Sequence, residues 1–536
     1  MPDWLVDFGQ KLLRGIVGEK KANAIIVNRL VKATRNRPHP WSTRNPYISW
    51  SGLTDKTYNA RLLPDTSWPG ASKPREPAAG KVVELFLADG RGQRDCPKST
   101  CLFPAFAQYL TDGFLRTMMS NDPDAEDRRR TTSNHEIDKS ALYGRTEAQT
   151  LCLRVRSETA GERGRLKSQT IDGEEWSPFL YDANGQIRSD FLDEKGEPIL
   201  DEPLGVTKPW AKKATLFAAG GDRVNASPQT AMMNTLFLRE HNRLAGVIER
   251  SHSAWDDEQV FQTARNVLIV MFIKLVVEEY INHINTSSFK LRAIPDVAWK
   301  ESWNRPNWMT TEFTLLYRWH SLVPQKMRWG DQVIDGAQLL LDNSQLLRLG
   351  LADAFASQSA NHATELGLRN AASFMRDAEM KAIQQGRSNR LQSYAAYRRA
   401  MGMKVPSSFE AMVGIEGDAD ERARRAALAR ELESIYESVE KVEYYPGLFA
   451  ERRSRNGPLP PLITSMVAMD AFSQALTNPL LSEHVWGDDA NRLAAFTKEG
   501  LEAIELTNSL RDVLARNATG LGDRFVGMTR QDWKGE

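Results

Sequence analysis

From Thr230 to Asn285, and again over 310–325, 333–400 and 420–442, apolar residues recur at helical rather than alternating spacing, and this repeat restricts the fold more than any other feature. A chain so patterned must bury helix against helix, which leaves strand as a minor component. The main helical body begins near Phe103 and extends through residues 103–536. Ahead of it, residues 37–102 are rich in Pro, Gly and Trp with little periodicity, and read as an irregular segment wrapping the body. Between Ser157 and Pro209 the turn signals Asp172-Gly173, Asn184-Gly185 and Lys195-Gly196 predict short hairpins inserted between helices. The expected fold is mainly α with minor β hairpins. At 536 residues the chain needs no disulfide staple to build a core.

Lys plus Arg number 70 and Asp plus Glu 69, a net charge of +1, and no long run of one sign offers a nucleic-acid track. Cys96, Cys101 and Cys152 are too few for a disulfide scaffold; Cys96 and Cys101 lie close enough for one local bridge, but a reduced compartment is the expectation. The opening Met1-Pro2-Asp3-Trp4 lacks the features of a secretory signal, so the expected location is cytoplasmic. No stretch reaches the roughly 18 consecutive apolar residues of a bilayer span. Residues 1–36 carry Trp4, Leu5, Phe8, Leu12, Leu13, Ile16, Ile25, Ile26 and Leu30 at helical spacing, with Lys11, Arg14, Lys20, Lys21, Arg29 and Lys32 between them. Two readings stay open: a basic amphipathic pair lying peripherally on a membrane, or helices packed on the protein's own core, which periodicity alone favours.

The segment Glu312-Phe313-Thr314-Leu315-Leu316-Tyr317-Arg318-Trp319-His320-Ser321-Leu322 predicts Tyr317 and His320 three apart on one helix face. A neutral imidazole there can ligate haem iron, and a nearby tyrosine can give up an electron and a proton to an oxidised haem. Taken alone, such a histidine is more often a satisfied core residue and such a tyrosine a packing residue.

The wider pattern Glu-Phe-x-x-Leu-Tyr-x-Trp-His-x-Leu-x-Pro, ending at Pro324, resembles the proximal-helix signature of cyclooxygenases (prostaglandin endoperoxide synthases), a branch of the animal-type haem peroxidase superfamily. The run Phe237-Leu238-Arg239-Glu240-His241-Asn242-Arg243-Leu244 is similar to a stretch shared across that superfamily, where His241 is expected in a buried polar network rather than in catalysis. Tyr47-Ile48-Ser49-Trp50, Asp257 to Arg265, Val277-Glu278-Glu279-Tyr280, Arg390 to Tyr394 and Tyr445-Pro446-Gly447-Leu448 follow in the cyclooxygenase order, so the likeness covers roughly residues 30–490. It implies a large helical haem peroxidase domain in which His320 is the proximal iron ligand, Tyr317 the radical tyrosine, and Tyr445 a support for His320. The epidermal-growth-factor-like module through which cyclooxygenases pair has no counterpart here, so a homodimer rests on analogy alone.

Phe106-Ala107-Gln108-Tyr109-Leu110-Thr111-Asp112-Gly113-Phe114 resembles the distal helix of that family, with Gln108 kept and Asp112 standing where the distal histidine is expected. A distal base takes a proton from one peroxide oxygen and returns it to the other, and a carboxylate with a reference pKa of about 3.9 is a weaker base than histidine. Arg223, in Gly220-Gly221-Asp222-Arg223-Val224-Asn225, resembles the distal arginine of mammalian peroxidases and is expected to stabilise negative charge or pair with Asp112. The acidic residues that form haem esters in those enzymes fall at Thr111 and Ala226, which implies non-covalent haem b.

In the substrate channel the resemblance implies Arg35 as partner of a fatty-acid carboxylate, and Ser287, Val467 and Ser473 as lining residues. The mouth is altered, with Ser287 in the place of a tyrosine, Asn285 in that of a serine and Ala468 in that of a carboxylate. The expected activity is a haem-dependent oxygenation of a fatty acid through a Tyr317 radical, consuming O2 and triggered by peroxide, with a monohydroperoxide slightly favoured over an endoperoxide. The rival readings are a peroxidase or peroxygenase oxidising small molecules at the haem edge, and a non-catalytic haem-binding protein.

Overall fold

The computed structural model describes residues 3–33, 41–42, 55–118, 127 and 129–536. It is mainly helical, as the spacing predicts. Helices α1 (Asp3–Val17) and α2 (Glu19–Ala33) meet at Gly18, whose φ of +82° few other residues adopt. In α2, Ala22, Val27 and Val31 are buried. In α1, Leu12 and Ile16 stay 54% and 71% exposed. Each helix rests part of its apolar set on the core, Leu13 and Val17 in α1, and leaves part of it exposed, Ile25 and Leu30 in α2.

The body is arranged around α3 (Leu102–Asp112), α4 (Pro228–Ser251) and α5 (Asp257–Leu275). Pro228 starts α4 where a proline's fixed φ suits a helix and its missing N–H costs nothing. The Asp256 side chain caps α5 by accepting from the Gln259 amide, with Asp257 and Glu258 in the first turn. The stretch Asp257–Ile284 has the length and apolar composition of a membrane span, but 78% of its most apolar window is buried within the protein. It is the core helix of the body.

Strand is confined, among the described residues, to four two-stranded antiparallel ribbons. Gln169–Ile171 pairs with Glu174–Trp176 across Asp172 and Gly173, whose φ values of +50° and +79° are those of a tight hairpin turn, as the Asp-Gly signal predicts. In the preceding segment Ala60 bridges Thr310, Leu87 bridges Ala371, and a short helix spans Ala79–Glu84 within what reads as irregular sequence.

Further along lie α6 (Thr311–Leu316), α7 (Arg376–Ser388), α8 (Tyr444–Ala450) and α9 (Pro461–Leu476). Glu312 fixes α6 in place. It is fully buried and accepts from the Leu62 and Leu63 amides at 3.0 and 3.3 Å and from the Tyr397 hydroxyl at 2.9 Å. His241 is structural, as expected: one ring nitrogen meets the Tyr143 hydroxyl at 2.9 Å and the other the Gly164 carbonyl at 2.8 Å, and burial pushes its pKa down to about 3.

Candidate active site

The Thr310 side chain caps α6 by accepting from the Phe313 amide, but the helix stops at Leu316. Tyr317 has φ −92° and ψ 17°, Trp319 has φ −87° and ψ 44°, and His320 opens a separate 3-10 turn, His320–Leu322. The expected shared helix face is therefore broken between the two residues, and each is aimed independently. The Tyr317 ring lies 4.9 Å from Phe313 and stacks on Trp319 at 4.5 Å. Its oxygen accepts a hydrogen bond from the Tyr280 hydroxyl at 3.3 Å. Tyr280 sits in a π-helical turn, Val276–Ile281, that continues α5, a local irregularity often found at functional sites. Burial pushes the Tyr317 phenol well above its ordinary pKa.

On the other side of the turn the His320 Nδ1 lies 3.1 Å from Glu379 Oε1, a residue of α7 that is only 1% exposed. The Tyr445 hydroxyl donates to Glu379 Oε2 at 2.6 Å, and its ring stacks on Phe86 at 5.1 Å. Tyr445 thus reaches Glu379, which in turn holds His320. Nothing in the spacing marks Glu379, which lies 59 positions beyond His320 on a charge-rich helix.

Phe103 of α3 packs on Trp319 at 5.6 Å, and Phe114, just past its end, on Phe313 at 6.3 Å. These contacts set α3 alongside the Tyr317–His320 segment. Along α3 most side chains are buried, whereas Pro104, Gln108 and Thr111 form a half-buried stripe at helical spacing. Asp112, next to that stripe, is buried with neither carboxylate oxygen hydrogen bonded. Burial pushes its pKa up to about 6; Arg116 and Arg223 oppose the rise and Asp222 adds to it. Of the two arginines Arg116 acts more strongly on Asp112. It is ion-paired with Asp222 at 2.9 Å and Asp201 at 3.0 Å. Arg223 donates from Nη1 to the Leu115 carbonyl at 3.2 Å, and no hydrogen bond joins it to Asp112, so the expected direct pairing is replaced by a cluster. Gly221 permits this packing, because a Cβ there would stand 2.1 Å from Asp112 Oδ2.

These residues fit a haem. His320 is engaged at Nδ1 and half-buried, which leaves Nε2 to hold a haem iron, and the orphaned Asp112 oxygens and half-buried Gln108 belong to α3, the helix set alongside that segment by Phe103 and Phe114. Arg35 lies outside the described residues. Ser287 is half-buried, its amide and hydroxyl donating to Asn285 Oδ1 at 3.0 and 3.1 Å. Val467 and Ser473 are buried on α9, and the Ser473 hydroxyl donates to the Asp470 carbonyl at 3.1 Å. Asp470, on the same helix, is close enough for its charge to raise the Tyr317 pKa further. Cys96 and Cys101 are free: Cys96 Sγ bonds Ser99 and Cys101 Sγ the His362 carbonyl.

Comparison with known proteins gives the chain its relatives. Prostaglandin G/H synthase 2 of Gallus gallus is 28% identical over 493 residues, spanning 90% of this chain and 74% of the relative. The structure of a fatty acid alpha-dioxygenase from Oryza sativa superposes with a TM-score of 0.67 at 17% identity, covering 100% of this chain and 99% of that one. Peroxidase A from Dictyostelium discoideum superposes with a TM-score of 0.66 at 17% identity, covering 89% and 96%. The model of the animal haem peroxidase family matches residues 114–525, well over half of the chain, and the chain belongs to that family of haem-dependent oxidoreductases.

Proposed function

We propose that the protein is a haem-dependent fatty-acid oxygenase in which Tyr317 removes hydrogen from the substrate. The observation that carries this reading is the Tyr317 phenol itself, enclosed by Phe313 and Trp319, bonded by Tyr280 and three residues before His320. The names of its relatives, a prostaglandin synthase and a fatty acid alpha-dioxygenase, support an unsaturated or long-chain fatty acid as substrate. His320 would hold haem b without an ester link, because Thr111 and Ala226 offer no carboxylate, and the bound group would supply oxidising power drawn from peroxide.

A phenol keeps its proton at neutral pH, the more so when burial raises its pKa, so oxidation of Tyr317 removes electron and proton together. The Tyr280 hydroxyl keeps a hydrogen bond on the oxygen that has lost its hydrogen and fixes the ring against Trp319. The Tyr317 oxygen radical takes a hydrogen atom from a substrate C–H bond and becomes a phenol again. O2 adds to the carbon radical, the resulting peroxyl radical takes the hydrogen back from Tyr317, and the sum is R–H plus O2 giving R–OOH. If one molecule of 18O2 supplies both oxygen atoms of the product, mass spectrometry finds two labelled atoms in the lipid hydroperoxide. Unlabelled product, or oxidation of small donors with no uptake of O2, favours the second reading instead: a peroxidase working at the haem edge through Asp112, Arg116 and Arg223.

In either reading Asp112 is the base that takes a proton from peroxide and returns it to the departing oxygen. Since its pKa lies at about 6 in the fold, the carboxylate form predominates at pH 7 and is lost as pH falls through that value. The rate of peroxide reaction is expected to drop toward tenfold per pH unit below about 6, and Asp112→Asn to lower it roughly 100-fold and remove that limb. Stopped-flow absorbance checks both, and a pH-independent wild-type rate between pH 5 and 7 contradicts the assignment.

A further inference from the structure

Glu379 presents a problem of charge. Its carboxylate is almost wholly buried, yet among the described residues it forms no ion pair with a lysine or an arginine; its hydrogen-bond partners are His320 Nδ1 at 3.1 Å and the Tyr445 hydroxyl at 2.6 Å. Two other buried carboxylates near the site have a guanidinium or several donors beside them: Asp112 has Arg116, and Glu312 has two amides and a hydroxyl. A buried carboxylate is expensive unless a positive charge or strong donors offset it. A cation bound at His320 Nε2 would stand one imidazole ring away from Glu379 and supply the charge that the protein does not.

We propose that Glu379 is a positioning residue for His320, drawing on its Nδ1–H so that the imidazole becomes a stronger donor to iron, and that Tyr445 limits how far it does so. This rests on the reading of His320 as the axial ligand. The carboxylate fixes one tautomer, since an oxygen that only accepts must face Nδ1–H, and it holds the ring by a charge-assisted hydrogen bond. Electron density moved onto Nε2 strengthens the Fe–N bond and favours the oxidised iron. Tyr445 acts in the opposite sense. Its hydroxyl shares the charge of the same carboxylate, so Glu379 pulls on His320 less strongly than it would alone. The stacking of Tyr445 on Phe86 and the α7 backbone around Glu379 hold the three groups in line.

The test uses the full chain loaded with haem, with two readouts that do not depend on turnover: the Fe–His stretching band of the ferrous protein by resonance Raman, and the ferric/ferrous midpoint potential by spectroelectrochemistry. Glu379→Gln, which keeps volume but loses charge, is expected to lower the stretching frequency and raise the potential. Tyr445→Phe is expected to move both in the opposite direction. Glu379→Asp, charged but one methylene shorter, falls between wild type and Glu379→Gln and serves if the glutamine variant does not fold. Unchanged values in the Glu379 variants, or shifts of the same sign for Glu379→Gln and Tyr445→Phe, overturn the proposal and leave a packing role. An Fe–His band that survives in His320→Gly overturns the ligand assignment instead, and the proposal with it.

Discussion

Tyr317→Phe is expected to abolish fatty-acid oxygenation, a loss of at least about 1,000-fold in turnover, while the reaction of the haem with peroxide stays within about tenfold of wild type. Phenylalanine fills the same space against Phe313 and Trp319, so the cradle persists. What disappears is the O–H bond that the proposed cycle breaks and re-forms, together with the acceptor for the Tyr280 hydroxyl. Leaving that buried hydroxyl unpaired costs about 1–3 kcal/mol of stability, too little to unfold a protein of this size. Oxygen electrode traces and a peroxidase assay on the same samples separate the two effects. Equal loss of both activities contradicts the division of labour between Tyr317 and the haem.

His320→Ala is expected to remove both activities and most of the haem affinity. The substitution deletes the axial ligand and leaves Glu379 buried with the Tyr445 hydroxyl as its remaining partner. Taking one hydrogen-bond partner from a buried carboxylate typically costs about 1–3 kcal/mol, so the haem-free protein also melts at a lower temperature. Absorbance titration with haem and a thermal melt of the haem-free chain measure the two consequences independently. A variant that binds haem with an unchanged spectrum contradicts the assignment of His320.

The helical architecture was legible in the apolar spacing because burial of one helix face leaves a periodic trace, and the Asp172-Gly173 hairpin was legible because its turn demands positive φ. Tyr317 and His320 stood out through the pattern around them, but their geometry did not: the three-residue spacing predicts a shared helix face, whereas α6 ends at Leu316. Residues that act by meeting across the fold left no local mark. Glu379 and Tyr280 approach the site from α7 and from the π turn after α5, and a sequence carries no distance between them. Arg116 is a different case. It lies only four residues beyond Asp112, past the end of α3, yet Arg223 drew the expectation because its segment carried the resemblance. Tyr445 reads as a support for His320, and what the sequence does not single out is the carboxylate through which it reaches the histidine.

The central claim is that Tyr317 carries the oxidising equivalent to a fatty acid. Its most direct test is rapid-freeze electron paramagnetic resonance during oxygen uptake by the haem-loaded protein, given a panel of fatty acids and a trace of hydroperoxide. Uptake accompanied by a tyrosyl signal that Tyr317→Phe eliminates is the predicted result. Rapid oxidation of the haem by peroxide with no tyrosyl signal and no oxygen uptake contradicts the account and leaves the haem edge as the place where this protein does its chemistry.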